Sequence, residues 1–329
     1  MPAASSEPAP ARPEVAVGRL RLPFGRRKRA PAVELPARER WARRAMLAPA
    51  LIYTIVVTQI PFLVTLWYSL TSWNLLTGSG RRWVGLQNYI DFLEDSAFRS
   101  AAWHTVALTT LSVLLSMVLG IGLAVLLDRK FLGRSIVRTL LITPFLITPA
   151  AAALLWKNPL FDPVFGLINF VLRPFGLGHV DWISQYPMAA VVTVAVWQWT
   201  PFMMLIVLAG LQGQDRDTLN AARVDGAPPW RIFTRLTLPH LRPFIELGIV
   251  LGSIFLVQSF DLIFLMTQGG PGDATTNIPY FLYLVTFRKF DIGAAAALAV
   301  VVVIVTIIIA KFALNVISSL FSDAAMEGA

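Results

Sequence analysis

The amino-acid sequence predicts an all-α membrane protein with six transmembrane helices and both termini on the cytoplasmic side. Three observations predict it. Of the 329 residues, 56% are hydrophobic and only 14% charged, against about 25% charged in a soluble domain. The apolar residues gather in runs of about 20 or more, the length at which a helix crosses a bilayer core. The lysines and arginines fall unevenly between those runs, which sets an orientation.

Residues 1–45 are rich in proline, alanine and arginine and show no apolar periodicity; they read as a disordered basic cytoplasmic tail. A cleavable signal needs an earlier and shorter apolar core. The run Arg26–Arg29, "RRKR", reads as a topogenic anchor rather than a nucleic-acid patch. Six apolar runs follow, at 46–70, 103–127, 137–156, 187–211, 244–266 and 293–317, within a membrane domain spanning 46–320, and 321–329 form a short C-terminal tail. The third run, "TLLITPFLITPAAAALLW", holds Pro144 and Pro149 and is expected to be the least straight. Eleven basic residues precede the first run, four lie in 128–138 and five in 212–243, while the other three connections hold three, two and two. The first set marks the cytoplasmic side, so the net charge of +9 is a matter of topology and calls for no nucleic-acid partner. Trp41, Trp67, Trp73, Trp103, Trp156 and Trp182 fall near the expected membrane interfaces.

The longest connection on the basic side, 212–243, contains "NAARVDGAPPWRIFTRLTLPHLRPF". It reads as two short helices. Asp217 or Thr218 caps the first, Gly226 ends it in the left-handed conformation, Pro228 and Pro229 open the second, and Pro239 stops it. Small residues at Ala221, Ala222 and Gly226 permit close approach by another surface.

The spacing of Ala221-Ala222, Gly226 and Leu236-Thr237-Leu238-Pro239 resembles the EAA loop of the membrane subunits of binding-protein-dependent ABC importers. "VGLQNYIDFL", "WQWTPFMM" and "DLIFLMTQGGPG" extend the resemblance, over about residues 45 to 320, to the MalF-like carbohydrate-uptake branch. It implies a type I importer permease of MetI-like fold, multi-pass in a bacterial cytoplasmic (inner) membrane. Its partners would be a second six-span permease subunit in a heterodimer, two copies of a cytoplasmic ATPase, an extracytoplasmic solute-binding protein, and membrane lipid. The 216–243 segment would be the coupling helix, with Asn220, Ala221, Ala222, Asp225, Gly226, Ala227, Leu236, Leu238 and Pro239 as its signature positions. The family has glutamate where this chain has Asn220.

The chain is expected to bind no cofactor and to be no enzyme. It has no phosphate-cradling G-x-x-x-x-G-K-[ST] loop, so ATP and Mg belong to the partner ATPase. It has no cysteine, and His104, His179 and His240 lie far apart without metal spacing. Within the spans, Trp197, Gln198, Trp199, Thr200 and Phe202 in the fourth and Gly252, Phe255, Leu256, Gln258, Ser259 and Asp261 in the fifth offer the aromatic faces and polar groups that a sugar site needs. The resemblance to MalF-like permeases implies solute contacts at Gln198, Trp199, Phe202, Phe255, Leu256 and Ser259, and Asp261 joins them as an acid near the outer end of an apolar span. Helical spacing puts Gly252, Phe255, Leu256 and Ser259 on one face. The same pattern also serves helix packing. The connections 71–102, 157–186 and 267–292, above all "GGPGDATTNIPYF", would face the external binding protein. The alternative is a self-sufficient secondary transporter, which calls for ion-coupling acids and an inverted repeat; Asp261 alone is thin support for it. A membrane scaffold without transport would leave the polar span residues and the coupling signature unexplained.

Overall fold

Apolar helices that lack water must satisfy their own backbone groups, and the computed structural model shows a nearly all-helical chain. It describes residues 37–326 apart from 79, 177 and 178, with side chains described for 48–308 and 311. Most of the expected leader, 1–36, lies outside the described residues, as do 327–329. The chain divides into two units, residues 1–57 and 58–329. In the first, the opening part of α1 (Ala37–Ser69) exposes Leu51, Ile52, Tyr53, Ile55, Val56 and Val57.

The second unit holds the rest. A small antiparallel ribbon pairs β1 (Thr71–Ser72) with β2 (Arg82–Trp83). Helices α2 (Gln87–Glu94), α3 (Ser96–Asp128), α4 (Arg134–Leu146), α5 (Pro149–Leu155), α6 (Leu167–Leu172), α7 (Trp182–Gln185) and α8 (Pro187–Gln212) follow. Then come α9 (Arg216–Val224), α10 (Pro229–Ile232), α11 (Leu238–Leu256), α12 (Ile278–Phe287) and α13 (Ile292–Met326). Turns of π-helix occupy Trp156–Leu160, Phe233–Thr237 and Ile263–Thr267.

Among the described residues four helical stretches are long and apolar enough to cross a membrane: Ala48–Ser69, Ser96–Asp128, Pro187–Gln212 and Pro229–Leu256. The third expected span is two pieces, Arg134–Leu146 and Pro149–Leu160, bent by 101°. Pro149 explains the break. It has no N–H to offer the preceding turn, and Ile147 and Thr148 are extended. The sixth expected span, 293–317, falls inside the 35-residue α13, which also carries 321–326 of the expected tail.

Two expectations are corrected. The fifth span was expected to run to 266, but α11 ends at Leu256 and residues 257–260 leave the helix. The apolar run continues past the break, so hydropathy alone does not register it. Pro239 was expected to stop the second hairpin helix, but helix continues from Pro229 to Leu256. The π turn at Phe233–Thr237, closed by Leu238 N–H on the Phe233 carbonyl, shifts the hydrogen-bond register so that Pro239 opens α11.

The core is the contact of α3, α8 and α11. Ala101, Thr105, Thr109, Ser112, Ser116, Gly120 and Ala124 recur at three to four residues and are buried, the small-residue face that lets membrane helices approach closely. Met203 of α8 sits where three glycines converge. A Cβ at Gly120 would lie 2.7 Å from Met203 Cβ and 2.9 Å from Met204 N, one at Gly248 3.2 Å from Met203 Sδ, and one at Gly252 2.4 Å from Met203 Cε. Gly120→Val is therefore expected to cost roughly 1–3 kcal/mol by overpacking and to lower the unfolding temperature of the detergent-solubilised protein. Gly122→Ala, with nothing within 4 Å of its added Cβ, should not lower it.

Candidate functional site

The break in the third span strands the Ile147 carbonyl. Pro149 carries no hydrogen, and the Ala151 N–H is turned to the Thr148 hydroxyl at 3.4 Å. The amide of Gln198, only 4% exposed, takes its place: Nε2 donates to Ile147 O at 2.7 Å. The break in the fifth span is held in the same way. Asn277 caps α12 by accepting from Tyr280 N at 3.1 Å and donates from Nδ2 to the Ser259 carbonyl. Lys157, in the π turn that ends the third span, donates to the Leu265 carbonyl at 3.0 Å.

Between these breaks lies a cavity of about 190 Å³. It brings together six of the seven sequence-predicted solute residues: Gln198, Trp199, Phe255, Leu256, Ser259 and Asp261. Pro149, Gln258, Phe260 and Leu262 also line it. Phe202 is not in the lining. It stands behind Trp199 (ring centroids 5.5 Å apart) and stacks on Phe145 at 5.2 Å, so it orients the wall. Trp199 and Phe255 lie 5.5 Å apart at 30°, forming one aromatic side. Ser259 was expected on the helical face of Phe255 and Leu256; it lies beyond the end of α11 and reaches the cavity through the non-helical 257–260 segment. Gln258, named among the polar groups of the fifth span but not assigned to solute, lines the cavity too, and Phe260 and Leu262 were not foreseen. Pro149 was visible in the sequence as a helix breaker but not as a wall.

The connection 268–277 is a shaped turn. Gln268 and Gly269 have positive φ, and Gly270-Pro271 is cis. Thr267 and Thr275 share a hydroxyl hydrogen bond at 2.7 Å, and Thr105 of α3 accepts from Ile278 N at 2.8 Å. His104 Nδ1 lies 3.2 Å from the Thr276 carbonyl. His240 Nε2 meets the Gly210 carbonyl at 3.0 Å, and His179 lines a separate surface pocket with Arg173. No metal-binding cluster occurs among the described residues.

The hairpin at 213–228 forms a second site. Asp215, two residues before the expected caps, accepts from Asp217 N at 3.0 Å and from the Thr218 hydroxyl at 2.7 Å. The Thr218 hydroxyl first, then the Asp217 N–H, hold its carboxyl below the usual carboxylate range. Its capping thus persists above the ordinary carboxylate pKa and is lost as pH falls through the lowered one. Gly226 has φ +79°, with Ala227 N–H on Ala222 O at 3.0 Å and Gly226 N–H on Arg223 O at 3.1 Å. These are the two bonds of a Schellman turn. Asn220 Oδ1 accepts from Arg223 at 3.2 Å. Asn220, Ala221, Asp225, Gly226 and Pro239 are exposed, while Ala222, Ala227, Leu236 and Leu238 are half-buried. Val224 (87% exposed) and Trp230 (74%) project freely. Arg216 reaches Asp128 at the end of α3, 3.3 Å away.

Apolar spans with two broken ends around a polar-lined cavity, and a rigid hairpin projecting from the same helices, define a membrane transport permease. The chain belongs to the family of binding-protein-dependent transport system inner membrane components, whose model matches residues 116–322. It is 42% identical over 252 residues to a probable ABC transporter permease of Sinorhizobium fredii, covering 76% of this chain and 81% of that protein. It is 33% identical over 250 residues to the trehalose/maltose transport system permease of Thermococcus litoralis, covering 75% and 83% respectively. A bacterial ABC transporter involved in import of the acidic polysaccharide alginate shares the fold, with TM-score 0.72 and 22% identity over 86% of this chain and 96% of that one.

Gln198→Leu should leave the Ile147 carbonyl unsatisfied, at a cost of roughly 1–3 kcal/mol. A lower unfolding temperature is the expected readout; an unchanged one would show that the break is held by something else.

Proposed function

We propose that this chain is the permease subunit of an ABC importer for a sugar or sugar alcohol, in a bacterial inner membrane, with six spans and both termini in the cytoplasm. The observation that carries this reading is the cavity between the broken spans. Its aromatic side, amide oxygens and hydroxyl suit the faces and edges of a polyhydroxylated solute. The residues assigned to solute are Gln198, Trp199, Phe255, Leu256, Ser259 and Asp261, with Phe202 in support. The trehalose/maltose relative agrees with this class.

The hairpin is the coupling element. Val224 and Trp230 offer an apolar knob to a groove on a separate cytoplasmic ATPase, present in two copies, and ATP and Mg are bound there. Closure of the ATPase moves the hairpin, and the spans follow as a rigid body. A second permease subunit and an external solute-binding protein complete the assembly. The shaped turn at 268–277 is the surface offered to the binding protein.

Gentle solubilisation and affinity purification of the tagged chain from its host tests this reading. An ATPase with a phosphate loop and a second permease should co-purify. Uptake by the isolated chain in liposomes without ATP would support a secondary transporter instead. Gly226→Val forces a β-branched residue into the left-handed region. The membrane level should hold, but uptake should fall about tenfold, within the range of a lost coupling of ~1–3 kcal/mol. Full uptake by this variant would remove the hairpin from the mechanism.

A further inference from the structure

The described lining of the cavity carries negative charge and no positive charge. Gln198 Nε2 is taken up by the Ile147 carbonyl and Gln258 Nε2 by the Ile254 carbonyl, at 3.1 Å for the latter. Each amide has thus committed one of its two N–H hydrogens to the backbone, and no hydrogen bond is recorded to either Oε1. Asp261 adds a carboxylate and is the only charged residue in the lining. The ion pairs found among the described residues, Arg216–Asp128 and Arg242–Glu246, do not involve it. Lys157, the cation that reaches this part of the chain, has its ammonium on the Leu265 carbonyl and is not in the lining. The donors that remain are the second N–H of each amide, the Ser259 hydroxyl and the Trp199 indole N–H, and none of them carries positive charge.

Such a wall accepts hydrogen bonds. Sugar hydroxyls supply them, and a carboxylate accepting from hydroxyls makes charge-assisted bonds. A phosphate, carboxylate or sulfonate group needs the opposite: donors and positive charge. We infer that the cavity admits uncharged sugars and polyols and that Asp261 excludes their anionic counterparts. The inference rests on the reading of this cavity as the solute site. The fold does not decide the matter, since the fold neighbour imports an acidic polysaccharide. The side chains at 198, 258 and 261 do. Two like charges about 6 Å apart at the effective dielectric of a protein site repel enough to weaken binding about a hundredfold.

The purified permease complex in detergent allows a direct test, because Trp199 faces the cavity. Its emission is assigned by subtracting the signal of Trp199→Phe. The probes are matched pairs: trehalose and trehalose 6-phosphate, maltose and maltobionate, sorbitol and gluconate. At least one neutral member should change the Trp199 signal, and its anionic partner should bind about a hundredfold more weakly. Asp261→Asn should narrow that gap to about tenfold or less, and Asp261→Glu, which keeps the charge, should preserve it. Equal binding of both members in the unaltered complex would overturn the charge assignment and leave the cavity as the solute site. Loss of discrimination in Asp261→Glu as well as Asp261→Asn would also overturn it. If none of the six compounds changes the Trp199 signal, the cavity reading falls and this inference with it.

Discussion

The hydrogen bond from Gln198 to the Ile147 carbonyl is the interaction on which the site depends. In an apolar interior a stranded carbonyl costs roughly 1–3 kcal/mol, so a span can break there only if a side chain takes over its hydrogen bonds. Gln198 does this for the third span and Asn277 does it for the fifth, each from a different part of the chain. The cavity lies where the two breaks meet α8. Gln198 thus has two functions: its Nε2 holds the scaffold and its side chain lines the cavity.

The second constraint is the packing at Met203. Three glycines, one on α3 and two on α11, let both helices close on α8 at side-chain contact, and close-packed interiors transmit displacement rather than absorb it. Helix from Pro229 to Leu256 is continuous over 28 residues, roughly 42 Å at 1.5 Å per residue. It starts at the hairpin and ends at the lip of the cavity. One helical element therefore joins the two sites, with the π turn at Phe233–Thr237 and the interior Pro243 as irregularities along it. A push on Trp230 has a short mechanical path to Phe255 and Leu256.

The features legible in the sequence were those that local chemistry fixes. Gly226 needed only its missing Cβ, and Pro149 only its missing hydrogen, to mark a turn and a break. The apolar runs located the spans because hydropathy integrates over many residues. Features that depend on distant partners were not legible. The end of α11 at Leu256 is set by Asn277, 21 positions further on, and the run "IFLVQSFDLIFLM" gives no local warning of it. Pro239 misled because a π turn upstream changes which carbonyl its ring meets. Phe202 was placed with Trp199 by the family resemblance, but it makes a T-shaped contact with Trp199 and stacks on Phe145 instead of lining the cavity.

Asn220 illustrates how the same reasoning treats a departure from the family pattern. A glutamate there would face Arg223 as an exposed ion pair, worth about 0–1 kcal/mol; the asparagine keeps the contact as a neutral-acceptor hydrogen bond at 3.2 Å. The hairpin's own shape rests elsewhere, on the Schellman turn at Gly226, the Asp215 cap and the reach of Arg216 to Asp128. Beside exposed Arg223, Asp225 and Arg231 it presents two apolar side chains, Val224 and Trp230, and burying such side chains is favourable at about 25 cal/mol per Å². A tryptophan and a valine together outweigh one exposed ion pair. In the docking proposed for this hairpin, asparagine at 220 would shift the contact toward hydrophobic burial, which salt does not screen, while the turn at Gly226 makes no use of that side chain.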